Sequence, residues 1–208
     1  NIHSRAEVSH TLYDKPYSII SGSNQQEYLQ NRVSATMYYP SLSQTITEID
    51  DPANNSGSFG YGVPEQAYLY DYDVLGNVKT LYAYSSDLST AGHTYITMAY
   101  DYDLLSGNVK MVSYEPETDN AFYHRYSYDA DNRIKYVETS PNGEIWDRDA
   151  TYYYYPHGPL ARVERGERLV QGEDFMYTIQ GWLKSVNSST LGANNANHPY
   201  DAGQDGRS

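Results

Sequence analysis

The sequence predicts an all-β protein of antiparallel β-hairpin repeats forming a continuous curved ribbon or partial shell, and three observations carry that reading. One phrase, Tyr70-Asp71-Tyr72-Asp73-Val74-Leu75-Gly76-Asn77-Val78-Lys79-Thr80-Leu81, returns four more times downstream. Two aliphatic positions hold in every copy. Between residues 65 and 187 strand-like runs alternate with turn residues, and no helical apolar period intervenes.

The second copy runs from Tyr100 through Tyr102, Asp103, Gly107 and Val109 to Val112, with one residue inserted before the glycine. The third runs from Tyr126 through Tyr128, Asp129, Asn132 and Ile134 to Val137, with Asn in the glycine slot. Two degenerate copies, Tyr152 to Val163 around Gly158 and Phe175 to Val186 around Gly181, keep the aromatic pair and lose the aspartate. Counted from the slot, position +2 reads Val78, Val109, Ile134, Leu160, Leu183, and position +5 reads Leu81, Val112, Val137, Val163, Val186. Position +3 is Lys79, Lys110, Lys135, Ala161 and Lys184, a charge between apolar neighbours, as on a strand with one wetted face.

The aromatic-x-aromatic pair has the period of a strand, and tyrosine suits a pleated, half-buried surface. Between the halves, Asp bonds backbone two residues on, and Gly or Asn tolerates positive φ. Each copy is therefore read as a β-hairpin turning near Gly76, Gly107, Asn132, Gly158 and Gly181. Positions +2 and +5 have opposite parity on a regular strand, so either a bulge intervenes or both faces are partly covered.

These phrases resemble the YD repeat of the Rhs family, over roughly residues 68–186. The stretch Tyr177-Thr178-Ile179-Gln180-Gly181-Trp182-Leu183-Lys184 is also similar to a phrase common in Rhs-type proteins of Bacteroidetes. In two copies Asn-Val stands where the family usually carries Arg-Leu or Arg-Tyr, and only Asn132-Arg133-Ile134 follows the pattern closely. The Rhs-associated core phrases are absent, so the resemblance implies no autoproteolysis.

Net charge −13, from 27 acidic against 14 basic residues, opposes the phosphate term that dominates nucleic-acid binding, so no nucleic-acid partner is expected. The charge fits a solvated exterior or a basic partner. Twenty-five tyrosines supply the apolar area that the aliphatic residues do not. Absence of cysteine excludes disulfides, thiolate zinc sites and a thiol nucleophile. No apolar run is long enough for a membrane-spanning helix, and no signal peptide is recognisable.

In chain order, residues 1–49 read as an N-terminal β segment without the motif. Tyr17-Ser18-Ile19-Ile20 is a strand with its turn at Ser21–Asn24. Arg32–Tyr39 and Gln44–Ile49 form a hairpin about Pro40-Ser41-Leu42-Ser43. Residues 50–64, rich in Asp, Asn, Ser, Gly and Pro, are an exposed loop or linker. Residues 65–187 are the YD-repeat array, with return turns at 85–92, 115–120, Pro141-Asn142-Gly143 and Arg165-Gly166-Glu167. Asn142-Gly143 is the strongest local hairpin signal. Residues 188–208 are a flexible C-terminal tail.

Residues that invite chemistry are weighed against plainer roles. Asp71, Asp73, Asp101, Asp103, Asp129 and Asp131 could hold calcium, but as turn formers or partners of the +3 lysines they need no metal, and no EF-hand loop is present. The six histidines show no metal-ligand spacing. Gly-x-Ser-x-Gly is absent. Tyr152-Tyr153-Tyr154-Tyr155, Trp146 and Trp182 suit sugar stacking, yet recurrence at repeat positions favours cross-strand packing. No catalytic residue, metal ligand or cofactor site is assigned.

The family resemblance implies a non-enzymatic structural or interaction segment of a larger Rhs-type protein, secreted or at a cell surface. It would contribute to a β-shell that encloses or displays a toxin or adhesive domain, with the remaining repeats and C-terminal domain of the parent chain as partners. The alternative is a carbohydrate-binding or cell-surface adhesion module, with a surface glycan or protein as partner. Exposed end strands add an expectation of edge-to-edge self-association.

Overall fold

The computed structural model describes residues 5–17, 26–42, 64–90, 95–168 and 171–187. Twelve strands are present among them: β1 Arg5–Tyr13, β2 Val33–Leu42, β3 Gln66–Tyr72, β4 Val78–Ser85, β5 Ile96–Tyr102, β6 Val109–Tyr114, β7 Phe122–Tyr128, β8 Ile134–Ser140, β9 Asp147–Tyr154, β10 Leu160–Arg165, β11 Gln171–Tyr177 and β12 Leu183–Val186. Every recorded strand pairing is antiparallel. The protein is all-β, as its sequence predicts. One short helix, α1 Ser86–Thr90, occupies the predicted return turn at 85–92.

The chain forms two compact units. The first comprises residues 1–100 with 113–119, the second residues 101–112 with 120–208. In the first, β1 through β4 pair in chain order and β5 adds to β4. Its core lies on one sheet face, at alternate positions Ala35, Met37 and Tyr39 of β2, Ala67 and Leu69 of β3, and Tyr82 and Tyr84 of β4. Tyr17 closes over this face. Burial, then the neighbouring Tyr39, raises the Tyr17 hydroxyl pKa well above its ordinary value.

In the second unit β7 through β12 pair in chain order. Three of its motif hairpins, β7–β8, β9–β10 and β11–β12, share with β3–β4 one irregularity that settles the parity question. Tyr72 pairs Val78 while Asp71 pairs Thr80, so Lys79 is the extra residue of a bulge. Tyr128 pairs Ile134 while Ser127 pairs Tyr136, which leaves out Lys135. Ala161 and Lys184 are left out the same way. A bulge at +3 restores +2 and +5 to one face.

Several expectations need correction. Position +2 and +5 side chains are not the general core: Val163 is buried, most are half-buried, and Leu183 and Val186 are exposed. A single sheet layer closes only where something covers it. In the first unit Tyr17 and Leu29 are buried, and Tyr17 lies on the face opposite Leu81, the face that carries Tyr82 and Tyr84. Tyr17 is not in a strand; the first strand is β1, and residues 18–25 lie outside the described residues. Pro40, Ser41 and Leu42 continue β2 rather than turn. Pairing of β2 with β3 ends at Tyr38, so the donor that proline lacks is not needed there. Asn142-Gly143 turns the chain within a longer loop, residues 141–146, because Ser140 Oγ and Asn142 Oδ1 take the backbone N–H groups of Gly143, Glu144 and Ile145. The predicted strand 44–49, the linker interior 50–63 and the tail 188–208 lie outside the described residues.

Candidate functional site

The recurring local structure is the motif turn. The N–H of the residue after the aromatic pair donates across the turn to the carbonyl of slot position +1: Asp73 to Asn77 at 2.9 Å, Asp103 to Asn108 at 2.8 Å, Asp129 to Arg133 at 2.9 Å, Tyr155 to Pro159 at 2.9 Å and Thr178 to Trp182 at 2.8 Å. All five slot residues have positive φ: Gly76 96°, Gly107 73°, Asn132 61°, Gly158 116° and Gly181 83°. This is the region that Gly tolerates and Asn visits, so the turn glycines serve the purpose that their sequence positions imply.

Where aspartate is kept, its carboxylate caps the turn. Asp73 accepts from the Asn77 backbone and side chain, both at 2.9 Å. Asp103 accepts from Leu105 N–H, Ser106 N–H and Ser106 Oγ. Asp129 accepts from Asp131 N–H, Arg133 N–H and Arg133 Nε. At Asp73 desolvation acts upward, but the bonds from Asn77, Gly76 and Leu75 together hold the carboxyl below its ordinary value. The Ser106 bonds lower Asp103, and the Arg133 side-chain bond lowers Asp129. Asp71 departs from the expected exposed turn former. It is buried, at 6% exposure, and its Oδ1 accepts the Glu27 N–H at 2.6 Å.

In three copies the second tyrosine of the pair joins one hairpin to the one before it. Tyr154 donates its hydroxyl to the Ile134 carbonyl at 2.8 Å, and Tyr128 donates to Val109 at 2.7 Å. Both acceptors are +2 residues of the preceding copy. In the first unit Tyr72 donates to Val33 at 2.7 Å.

Val33 thereby exposes a sixth copy that the sequence reading missed. Tyr13-Asp14 supplies the aromatic-aspartate half, and Asn31-Arg32-Val33 the slot half, with Asn31 at φ 58°. Asp14 N–H donates to the Arg32 carbonyl, the Asp14 carboxylate takes the Asn31 N–H, and Ser34 is the bulged residue at +3. Residues 15–30 are an insertion in that turn. Part of it folds back on the sheet: Gln26 Nε2 donates to the Ser34 and Tyr70 carbonyls, at 2.7 and 2.8 Å. The matching phrases Asn31-Arg32-Val33 and Asn132-Arg133-Ile134 were the available signal. Their arginines also act alike: Arg32 lies over the Tyr72 ring at 5.4 Å and Arg133 over Tyr154 at 4.5 Å.

A second feature absent from the sequence reading is a buried charge cluster in the second unit. Arg162 Nη1 donates to Asp174 Oδ2 at 2.8 Å, and Arg162 Nε to Glu164 Oε1 at 2.9 Å. The Tyr153 hydroxyl donates to Glu164 Oε2 at 2.8 Å. Asp174 is fully buried, and a Cβ on Gly172 would strike the Arg162 guanidinium. Gly172 is the residue that lets the arginine lie flat on β11.

The aromatic run is engaged within the unit. Besides Tyr153 and Tyr154, Tyr155 donates to the Phe175 carbonyl at 2.9 Å, and Trp146 Nε1 donates to Gly143 beneath the Arg125 guanidinium. Trp182 is exposed. Among the described residues no group of three or more His, Asp or Glu is arranged to hold a metal ion. One open depression of about 470 Å³ in the second unit is lined by Asn108, Asn132, Lys110, Lys135 and the rings of Tyr126, Tyr128 and Tyr136.

Fold and bonding together define a stacked β-hairpin repeat protein whose motif side chains bond to their own turn and to the neighbouring hairpin. No family model matches the sequence, and no curated protein does. Among solved structures the chain is similar to a chain in the crystal structure of TcdB2-TccC3-Cdc42, at 12% identity and TM-score 0.46, over 86% of this chain and 9% of that one. It is also similar to a chain in the structure of the Photorhabdus luminescens Tc holotoxin pore, at 10% identity and TM-score 0.40, over 86% of this chain and 10% of that one. The chain thus spans about a tenth of the length of those chains. Likenesses this low carry no functional weight.

Proposed function

We propose that the chain is a non-enzymatic structural segment of a larger Rhs-type protein, secreted or displayed at a cell surface. It adds hairpins to a β-shell that encloses or presents a toxin or adhesive domain. The observation that supports this reading is where the motif side chains are used. The aspartates cap turns, the slot residues turn the chain, and Tyr72, Tyr128 and Tyr154 bond the preceding hairpin. A repeat whose marked residues serve repeat-to-repeat attachment is suited to building a wall. Reading the parent open reading frame tests it. Further copies of the phrase followed by an unrelated C-terminal domain are expected, and a frame without either overturns the reading.

A second reading, carbohydrate binding, is favoured by one observation. The open depression combines tyrosine rings with two carboxamides and two lysines, groups that stack on and bond to polyhydroxylated ligands. A glycan array on the isolated chain separates the two readings. Specific retention that Lys135→Ala abolishes supports the module, and no retention supports the wall.

A further inference from the structure

We propose that the return loop between β8 and β9 is a self-modifying site, in which Asn142 loses its side-chain amide to the backbone nitrogen of Gly143 through a proton relay supplied by Ser140. Asn142-Gly143 is the one Asn-Gly step of the sequence. Glycine puts no side chain in the way when its own nitrogen attacks the preceding carboxamide carbon, and the ring that closes has five members. The step is slow in a free chain, because the amide must give up its proton and the carboxamide oxygen must take up charge. Groups already in place in this loop serve both needs. The Asn142 Oδ1 accepts the Glu144 N–H, the Ile145 N–H and the Ser140 hydroxyl, each at 3.0 Å. Three donors on one oxygen polarise the carbon that bears it, and two of them are fixed backbone dipoles, as in an oxyanion hole. Ser140 Oγ in turn accepts the Gly143 N–H at 2.9 Å. A single hydroxyl thus bridges the nucleophile and the oxygen of its target.

Burial and packing hold this arrangement. Ser140 is fully buried, which shields the bridge from competing water. Trp146 Nε1 donates to the Gly143 carbonyl at 3.1 Å, and the Trp146 ring lies under the Arg125 guanidinium at 4.0 Å, so the glycine is also pinned from its other side. Asn142 itself is exposed, so water reaches it and ammonia can leave. In the reaction, the Gly143 nitrogen bonds to Asn142 Cγ while its proton passes to Ser140 Oγ and the Ser140 proton passes to Asn142 Oδ1. The tetrahedral carbon then expels Nδ2 as ammonia, which carries off the proton on Oδ1 as the carbonyl re-forms in a succinimide. Water opens that ring to aspartate or isoaspartate, and Ser140 is left as it began.

The test incubates the full chain beside a synthetic peptide with the sequence of residues 136–148 and follows conversion at Asn142 by peptide mapping and mass spectrometry. The folded chain should convert at least about tenfold faster than the peptide, a modest share of what positioned proton transfer supplies in enzymes. The peptide's rate should rise in proportion to hydroxide, because only solvent takes its amide proton. The chain carries its own relay, and its rate should stay nearly flat across neutral pH. Ser140→Ala should return the chain to the peptide's rate and to its hydroxide dependence. A folded chain no faster than the peptide overturns the proposal, as do a hydroxide-proportional rate in the folded chain and an unchanged rate in Ser140→Ala. If that variant loses its fold, the rate and pH profile of the parent chain decide the matter by themselves.

Discussion

The Tyr154 hydroxyl donates to the Ile134 carbonyl at 2.8 Å, so a tyrosine of one repeat closes on the +2 residue of the repeat before. Tyr128 and Val109 repeat the relationship, as do Tyr72 and Val33. Removing the hydroxyl alone is expected to cost about 0.5 to 1.5 kcal/mol at each site, since the ring stays and one net hydrogen bond goes. Tyr154→Phe and Tyr128→Phe should each lower the urea midpoint by that free energy divided by the slope, without changing the slope itself. Tyr13→Phe is the control. Its ring is exposed, and its variant should melt with the parent chain.

The slot residues give a prediction with two signs. Asn132 holds φ 61°, and Asn132→Gly should be neutral or slightly stabilising because glycine adopts that angle without strain. Gly76→Val should cost about 1 to 3 kcal/mol. At φ 96° a β-branched residue is strained, and its Cβ would also meet the Arg32 guanidinium. Thermal melts of the two variants check the pair, and equal destabilisation would contradict the turn assignment.

Much of this was legible in the sequence, for a physical reason. Turn chemistry is local, so Gly76 and Asn132 mark the chain wherever they occur, whereas Lys79 reads as the wetted face of a strand until the register shows it bulged. Opposite parity at Val78 and Leu81 allowed either a bulge or partial cover of both faces, and the register shows the bulge, at Lys79. The sixth copy was hidden because residues 15–30 separate Tyr13-Asp14 from Asn31-Arg32-Val33. Burial of Asp71 was illegible for a different reason: the group that covers it is the backbone of Glu27, which is far away in sequence. Arg162 and Asp174 likewise meet only through the register of β10 and β11.

Asp71 therefore belongs with the structural residues. Asp71→Asn should cost about 1 to 3 kcal/mol, the range for disturbing a buried hydrogen-bonded group. Asp101→Asn, at an exposed site of the next copy, should cost little. Urea midpoints of the two variants, each measured with calcium and with chelator, test this. If the Asp71→Asn loss appeared only in calcium, a metal site rather than a backbone contact would be the cause.

Acid should act through the turn caps. The native carboxyls of Asp73, Asp103 and Asp129 titrate below the ordinary aspartate value, so the unfolded chain binds more protons than the folded chain in that window. Their contribution is fully present above the unfolded aspartate pKa and is lost as pH falls through the lowered native values. Stability measured by urea from pH 6 downward should decline through this range. Asp129→Asn, which removes one titrating cap, should flatten the decline. An unchanged slope would show that the carboxylate is not coupled to folding.

The Arg162–Asp174 pair gives the largest expected effect. Asp174 is fully buried with its Oδ2 on Arg162, while its backbone N–H and carbonyl are held by Asn187 at 2.8 and 2.9 Å. Asp174→Ala leaves the buried Arg162 guanidinium with Glu164 as its remaining carboxylate partner, and breaking one partner of such a pair costs up to about 3 to 5 kcal/mol. Replacing both groups by apolar ones, Arg162→Met with Asp174→Leu, removes both desolvated charges and should recover most of that loss. The double variant should then lie nearer the parent chain than either single variant. If losses simply added, the two residues would contribute independently, and their contact would not be what fixes β11 on β10.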